Sequence, residues 1–284
     1  MQAWRKLWSR LWPRLWPKTR SGAIGRGVLL GVFAFGVYSL WIEPASLRVV
    51  HHDIALGGKG LGRLRIAVIA DLHAGSAYIG VDKVRRVVAL ANASKPDLIL
   101  LAGDYVGGGP KGSYPPVEVT ASLLKELRAP LGVFAVIGNH DRWLSVARVT
   151  KALQAVGIPV LENASLPIGN FTLVGIGDAY THADFPARAL KGVHGPALCF
   201  THSPDVFPEL PRACVLTIAG HTHGGQVWLP LAGRLITASR YGQRYAAGLV
   251  RENGKTLFVS TGIGTSIVPI RFLVPPEVTV LDLH

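Results

Sequence analysis

Three apolar runs of strand length, LRIAVIA at 64–70, DLILLA at 97–102 and GVFAVIG at 132–138, constrain this chain more than any other feature. Their apolar residues are consecutive rather than alternating, so each run reads as a strand covered on both faces. The segments between them, VDKVRRVVALANAS at 81–94 and VEVTASLLKELR at 117–128, carry apolar residues at helical spacing and close at Pro96 and Pro130. A third helix is expected over 143–156, stopped by Gly157 and Pro159. This β-α-β-α-β-α order implies parallel strands. Further strands are expected at 171–177, 197–200, 215–220, 246–260 (with a hairpin at Asn253-Gly254) and 277–283. The expected fold is α/β: a four-layer α/β/β/α sandwich of two mixed sheets with flanking helices, preceded by a single N-terminal transmembrane helix.

That helix is read from GVLLGVFAFGVYSLWI at 27–42, which carries no charge; extended back across Arg26 it covers 23–42. About 20 residues suffice to cross a bilayer, and Arg26 can snorkel at the near edge. A cleaved signal peptide fits less well, because the basic region is long and no A-x-A site precedes Glu43-Pro44. A helix lying flat on the membrane stays open, since the stretch without Arg26 is short. The formal net charge of +13 gathers partly here: seven of the 30 basic residues lie in 1–27, ahead of the first acid, Glu43, leaving 23 basic against all 17 acidic residues. By the positive-inside rule the N-terminus is cytoplasmic and the main domain periplasmic or otherwise extracytoplasmic, as in a single-pass inner-membrane protein. The repeat LWSRLWPRLWPK at 7–18 reads as an interfacial segment on anionic lipid or as a low-complexity tail. The expected organisation is a basic Trp-rich cytoplasmic tail (1–22), an anchor (23–42), a linker with one strand (43–62) and one domain (63–284). Cys199 and Cys214 could pair in such a compartment, yet each adjoins an apolar run and two buried free thiols fit as well.

Five strand ends deliver polar residues: Asp71 and His73; Asp104; Asn139, His140 and Asp141; His202; and the pair His221 and His223. Residues two apart at a strand end share a face, so the last two imidazoles can point one way. In open α/β sheets ligands sit beyond the carboxyl ends of the strands, where all five sets can converge. Singly, Asp71, Asp104 and Asn139 would be caps or turn residues. Together, oxygen and imidazole donors without thiolate suit Mn, Fe or Zn.

The ordered set D-L-H, G-D, G-N-H-D, T-H-S-P-D and G-H-T-H-G-G-Q resembles the calcineurin-like metallophosphoesterase superfamily, over residues 64–283. GHTHGGQVWLP, VSTGIGTSIVPIRF and PPEVTVLDL are similar, more narrowly, to bacterial membrane- or wall-associated phosphodiesterases of the YkuE and YaeI type. The resemblance implies a phosphoric ester hydrolase with two divalent ions. Asp71, His73 and His223 would hold one, Asn139, His202 and His221 the other, and Asp104 would bridge them. It further implies that His140 protonates the leaving oxygen or steadies charge on phosphorus, and that Asp141 orients His140 or a ligand. The chain departs from many members after the bridging position, where GDYVGGGP lacks a further acid.

The function expected is hydrolysis of a phosphodiester or pyrophosphate by metal-activated water, with the bilayer as partner and a phosphate-containing lipid or envelope component as substrate, hence a place in lipid metabolism. Arg240, Arg244 and Arg271 are weak candidates for phosphate or headgroup contacts. The alternatives are a non-catalytic anchored platform keeping the fold, or a nuclease of the same superfamily. Nucleic acid is not expected as a partner, because the domain has no basic stripe interleaved with aromatics. No protein partner is expected either.

Overall fold

The computed structural model describes residues 20–58, 60–107 and 115–284. The Trp-rich repeat at 7–18 and most of the glycine-rich stretch after Asp104 lie outside the described residues. The helices are α1 (Arg20–Val37), α2 (Val81–Ala93), α3 (Val117–Leu124), α4 (Asn139–Leu144), α5 (Val146–Ala155) and α6 (Pro186–Ala189). The strands are β1 (Arg48–Ile54), β2 (Leu64–Ile69), β3 (Leu98–Leu101), β4 (Val133–Ala135), β5 (Ala164–Ile168), β6 (Phe171–Gly175), β7 (Ala197–Phe200), β8 (Cys214–Ala219), β9 (Gly248–Glu252), β10 (Lys255–Val259) and β11 (Glu277–Leu283).

One sheet has the order β1-β11-β2-β3-β4 and the other β5-β6-β7-β8-β10-β9. Strands β2, β3 and β4 run parallel as the sequence pattern implies, while β11 enters antiparallel to β2 and parallel to β1. In the second sheet β6, β7, β8 and β10 are parallel and the edges β5 and β9 antiparallel. Both sheets are therefore mixed.

The continuous apolar runs follow from burial on both faces. On β2 and β3, Ile66, Val68, Leu98 and Leu100 pack between the sheets against Leu198, Phe200, Leu216 and Phe258. Their neighbours Ala67, Ile69, Ile99 and Leu101 pack outward beneath Val84 and Val87 of α2, Ala121 of α3 and Leu153 of α5. Each fully buried branched side chain contributes about 1.5–3 kcal/mol relative to exposure. The outer layer on the second sheet is thin, formed by α6 and by single-turn segments such as Pro204–Glu209. Asn253 (φ 52°) and Gly254 (φ 78°) turn the β9–β10 hairpin, both in the left-handed region that a two-residue turn requires.

Two local expectations change. The helix expected over 143–156 is two, α4 and α5, parted at Ser145, whose extended backbone lets its Oγ accept the Arg148 amide at 3.3 Å. The break follows because α4 starts at the strand end itself, with Asp141 reaching back to the Gly138 amide at 3.0 Å. Strand β5 was not foreseen, since Pro167 interrupts its pattern; at a sheet edge proline is tolerated. The strand expected within 43–62 is β1, and it pairs along its whole length with β11.

Cys199 and Cys214 are joined in a disulfide between adjacent strands, rather than being the two free thiols that fitted as well. The bridge closes a loop of sequence separation 15. Replacing both cysteines by alanine is expected to cost about 3 kcal/mol, roughly 6–12 °C in Tm, read by thermal melting. An unchanged Tm would show that the bridge adds nothing to stability.

Helix α1 runs through a π-helical turn, Tyr38–Ile42, into Glu43–Ala45. Residues Ala23–Ala45 form a helix long and apolar enough to cross a membrane, and its first part is exposed, as at Leu29, Leu30 and Phe33. Its last turns are not: Ser39, Glu43 and Pro44 are buried against the domain. Ser39 O accepts the Arg271 amide at 2.9 Å, and the Glu43 carboxylate accepts the amides of Leu273 (2.9 Å) and Val274 (2.5 Å).

Candidate metal centre

The carboxyl ends of β2, β3, β4, β7 and β8 bring Asp71, His73, Asp104, Asn139, His202, His221 and His223 into one buried cluster. Backbone bonds lace the strand ends together: His73 N donates to Asp104 O (2.9 Å) and Gly220 N to His202 O (2.9 Å). Five of these residues, Asp71, His73, Asp104, His221 and His223, have φ between 47° and 71°. Left-handed backbone at non-glycine residues costs on the order of 1–3 kcal/mol each and persists only where the surroundings enforce it. Those surroundings are glycines. A Cβ on Gly138 would lie 2.2 Å from Asp104 Oδ1, on Gly220 2.5 Å from Asp71 Oδ2, and on Gly264 2.7 Å from His73 Cβ.

The donor atoms converge at the spacing of ligands around an ion. Atoms about 2.0–2.2 Å from a common metal lie about 3.0–3.5 Å apart. Here His223 Nε2 is 3.2 Å from His73 Nε2 and 3.5 Å from Asp71 Oδ1. Around His202 Nε2 stand Asn139 Oδ1 (3.0 Å), His221 Nδ1 (3.1 Å) and Asp104 Oδ2 (3.3 Å), and Asp104 Oδ2 is also 3.5 Å from His73 Nε2. Asp71, His73 and His223 form one group able to hold an ion, and Asp104 joins two others, with His202 and Asp71 and with His73 and His140.

Tautomers sharpen the fit. His202 Nδ1 lies 2.8 Å from Ala102 O and His223 Nδ1 3.2 Å from Gly264 O, so each ring donates there and, when neutral, turns the lone pair of its Nε2 into the cluster. The lone pair of His223 then faces the Nε2 of His73, and that of His202 faces two oxygen acceptors. Such a pocket calls for positive charge, which divalent cations would supply.

The electrostatics agree. Burial pushes Asp71 up to about 7 and His73 and His221 down to about 4. Burial works against charge on His202 as well, yet Asp104 and Asp71 outweigh it and lift its pKa well above the ordinary range. Asp104 would also rise by burial, but His202, His73 and His140 hold it below the usual carboxylate range.

His140 sits at the open side, half-buried, its amide donating to Asp104 Oδ1 (2.8 Å) and its ring edge-on to His73. The hydrogen bonds of Asp141 run to backbone amides and not to the His140 ring. Its carboxylate accepts the amides of Asp104 (2.8 Å), Tyr105 (2.9 Å) and Gly138 (3.0 Å), and so fixes the backbone that carries Asp104.

The expectation of a phosphate contact at Arg271 is overturned. The side chain is fully buried and donates to the carbonyls of Val274 (2.7 Å), Thr261 (2.9 Å), Gly262 (3.3 Å) and Gly264 (2.5 Å), which leaves it closed to solvent and substrate. Arg240 and Arg244 are exposed but engaged locally, with Glu209 and Glu252. Sequence reasoning missed Trp143 and Tyr180, exposed aromatics 6.4 Å apart whose rings touch His140 and His221. It also missed Asp178, buried and capping the turn to Thr181. Trp143 follows GNHD by two positions, and Asp178 and Tyr180 follow the β6 run.

Comparison with known proteins gives the family. Residues 64–225 match the family model for calcineurin-like phosphoesterases. The chain belongs to that family. Phosphodiesterase YaeI of Escherichia coli is 33% identical over 260 residues, covering 87% of this chain and 92% of that protein. The metallophosphoesterase YkuE of Bacillus subtilis is 28% identical over 276 residues, covering 92% and 94%. A transmembrane protein with metallophosphoesterase domain from Danio rerio is 25% identical over 285 residues, covering 91% of this chain and 63% of its own length. The match to the calcineurin-like model begins at β2 and ends just past His223, so it contains every residue of the cluster.

Proposed function

We propose that this metallophosphoesterase is anchored in the inner membrane and hydrolyses a phosphodiester or pyrophosphate bond in a lipid or another envelope component. The observation that carries the reading is the convergence of buried imidazole nitrogens and carboxylate oxygens at ligand spacing. Asp71, His73 and His223 would hold one divalent ion, Asn139, His202 and His221 a second, and Asp104 would be shared; Mn, Fe or Zn suits such donors. Bound there, the ions would neutralise phosphoryl charge and acidify the attacking water. His140, on the open side and tethered to Asp104, is placed to protonate the leaving oxygen. Asp141 keeps the Asp104 backbone in its left-handed turn. The name of YaeI supports the diester reading.

The anchor reading draws on the apolar helix and on the transmembrane relative. A cytoplasmic N-terminus and periplasmic domain draw on the basic N-terminal segment and on the disulfide, a bond of oxidising compartments.

The test is metal content with turnover of bis(p-nitrophenyl) phosphate by the full chain in detergent. Metal and diester cleavage are expected; a folded protein with neither would sink the proposal. His140→Ala should keep its metal and lose about 10²–10⁴ in kcat. If metal were lost instead, His140 would be a ligand. A reporter fused after His284 reads the side of the membrane, and a cytoplasmic signal would refute the orientation.

A further inference from the structure

We infer that two apolar loops beside the metal centre, 226–236 and 266–273, form a collar that inserts into the bilayer around the base of α1, a second membrane contact that holds the site at the lipid surface. This rests on the reading of α1 as a membrane span.

The loops expose large apolar side chains where a water-facing surface would not: Trp228, Leu231, Ile236, Ile267, Val268 and Leu273, with Ile236 81% and Ile267 97% exposed. They form one body. Gln226 donates to Val268 O and Ile270 O, both at 3.0 Å, and its Oε1 accepts the Ser266 amide at 2.6 Å. Phe272 N donates to Gln226 O and Trp228 N to Phe272 O, each at 2.9 Å. Contiguous exposed apolar surface marks an interaction site, and tryptophan favours the membrane interface.

The occupant follows from depth. The Phe272 ring packs on Phe35 (4.8 Å between centroids) and Tyr38 (6.0 Å), both inside the candidate span Ala23–Ala45. Were the collar outside the bilayer, the hydrocarbon would have to end before Phe35. Residues 23–34 rise only about 18 Å as a helix, well short of the roughly 30 Å of a bilayer core. A span long enough to cross therefore carries the level of Phe35, and Phe272 beside it, into the membrane. The neighbouring Ile267, Val268 and Leu273 follow, which fits their exposure to lipid rather than to a second copy of the chain.

The consequence is reach. Trp228 is five residues beyond His223, and Ile267 three beyond Gly264, whose carbonyl meets His223. Even fully extended, these links put the centre within about 18 Å and 11 Å of the collar. A phosphodiester at headgroup level can thus meet the site while its acyl chains stay in the bilayer.

The test uses the full chain in vesicles of phosphatidylethanolamine and phosphatidylglycerol. Single cysteines at Ile267→Cys and Leu231→Cys, with Val32→Cys in α1 and Leu166→Cys on the β5 edge as references, carry an environment-sensitive fluorophore. The native cysteines are bonded to each other and do not label. Spin-labelled lipids are then added as quenchers to variants that melt as the parent does. Expected is a blue shift and a loss of fluorescence at Ile267 and Leu231 comparable with Val32, and none at Leu166. Quenching at Val32 alone overturns the collar and leaves the anchor standing. Quenching at neither overturns the anchor reading itself. A blue shift at Ile267 and Leu231 without lipid quenching, dependent on protein concentration, overturns the collar in favour of contact between copies.

Discussion

Asp104→Asn is expected to strip the protein of metal and lower diester turnover on the order of a thousandfold or more, without unfolding it. The amide keeps the carboxylate's shape, and its oxygen can still accept the His140 N–H that Asp104 Oδ1 accepts at 2.8 Å. What is lost is the negative charge on Oδ2, which stands 3.3 Å from His202 Nε2 and 3.5 Å from His73 Nε2, between the two proposed sites. A shared charged ligand stabilises both ions, and metal-assisted charge neutralisation is worth several kcal/mol in the transition state. About 4 kcal/mol corresponds to a thousandfold in rate. Metal per chain by elemental analysis, turnover of bis(p-nitrophenyl) phosphate and a thermal melt in chelator separate the effects. Full metal content in Asp104→Asn would remove this residue from the centre.

Arg271→Met is expected to destabilise the domain by about 3–5 kcal/mol, the cost of breaking a buried charged network from one side. The guanidinium is fully buried, and burial brings its pKa down to about 10 against the opposing pull of Asp71, Glu277 and Glu43. Removing it leaves the carbonyls of Val274 and Thr261 without a donor, at about 1–3 kcal/mol for each buried acceptor left unpaired, and takes one of two donors from Gly262 and Gly264, which keep the Glu277 amide and His223 Nδ1. Lysine cannot substitute, since three donors on a point charge do not reproduce a planar fork reaching four carbonyls. Urea unfolding midpoints read the effect; a shift within experimental error would show that the arginine is dispensable. The variant should also bind metal less well, because Gly264 both packs against His73 and accepts from His223. The same network ties the apolar N-terminal helix to the cluster. Glu43 at the end of the helix holds the amides of Leu273 and Val274, next to Arg271, which clamps Gly262 and Gly264.

Much of the candidate site was legible because ligands to one centre, in a parallel α/β sheet, must follow the carboxyl ends of buried strands. Asp71, Asp104, Asn139, His202 and His221 each stand directly after such a run or one residue beyond it, so the motif and its place in the fold are one signal. Asp141 was legible as a supporting residue, but its target was not: a carboxylate three residues into a helix can reach several amides, and only the packing shows that it takes those of Gly138, Asp104 and Tyr105. Trp143 and Tyr180 carry no local signal, because an exposed aromatic, whether on a short helix or in a turn, looks alike at a rim and elsewhere.

The sequence by itself determined the two classes of strand, the helices that alternate with them, the apolar N-terminal helix and the identity of the clustered donors. All of these rest on local periodicity or on residue chemistry, which a linear pattern carries. Only the tertiary structure decided that β11 enters the first sheet beside β2 with β1 on its far side, that Cys199 and Cys214 pair, and that Arg271 is a buried clamp rather than a phosphate contact. Those outcomes depend on which distant segments share a surface. An arginine meets water or carbonyl oxygens according to what packs over it, and that is set by the loops from 261 to 274 closing between the end of the apolar N-terminal helix and the strand ends of the cluster.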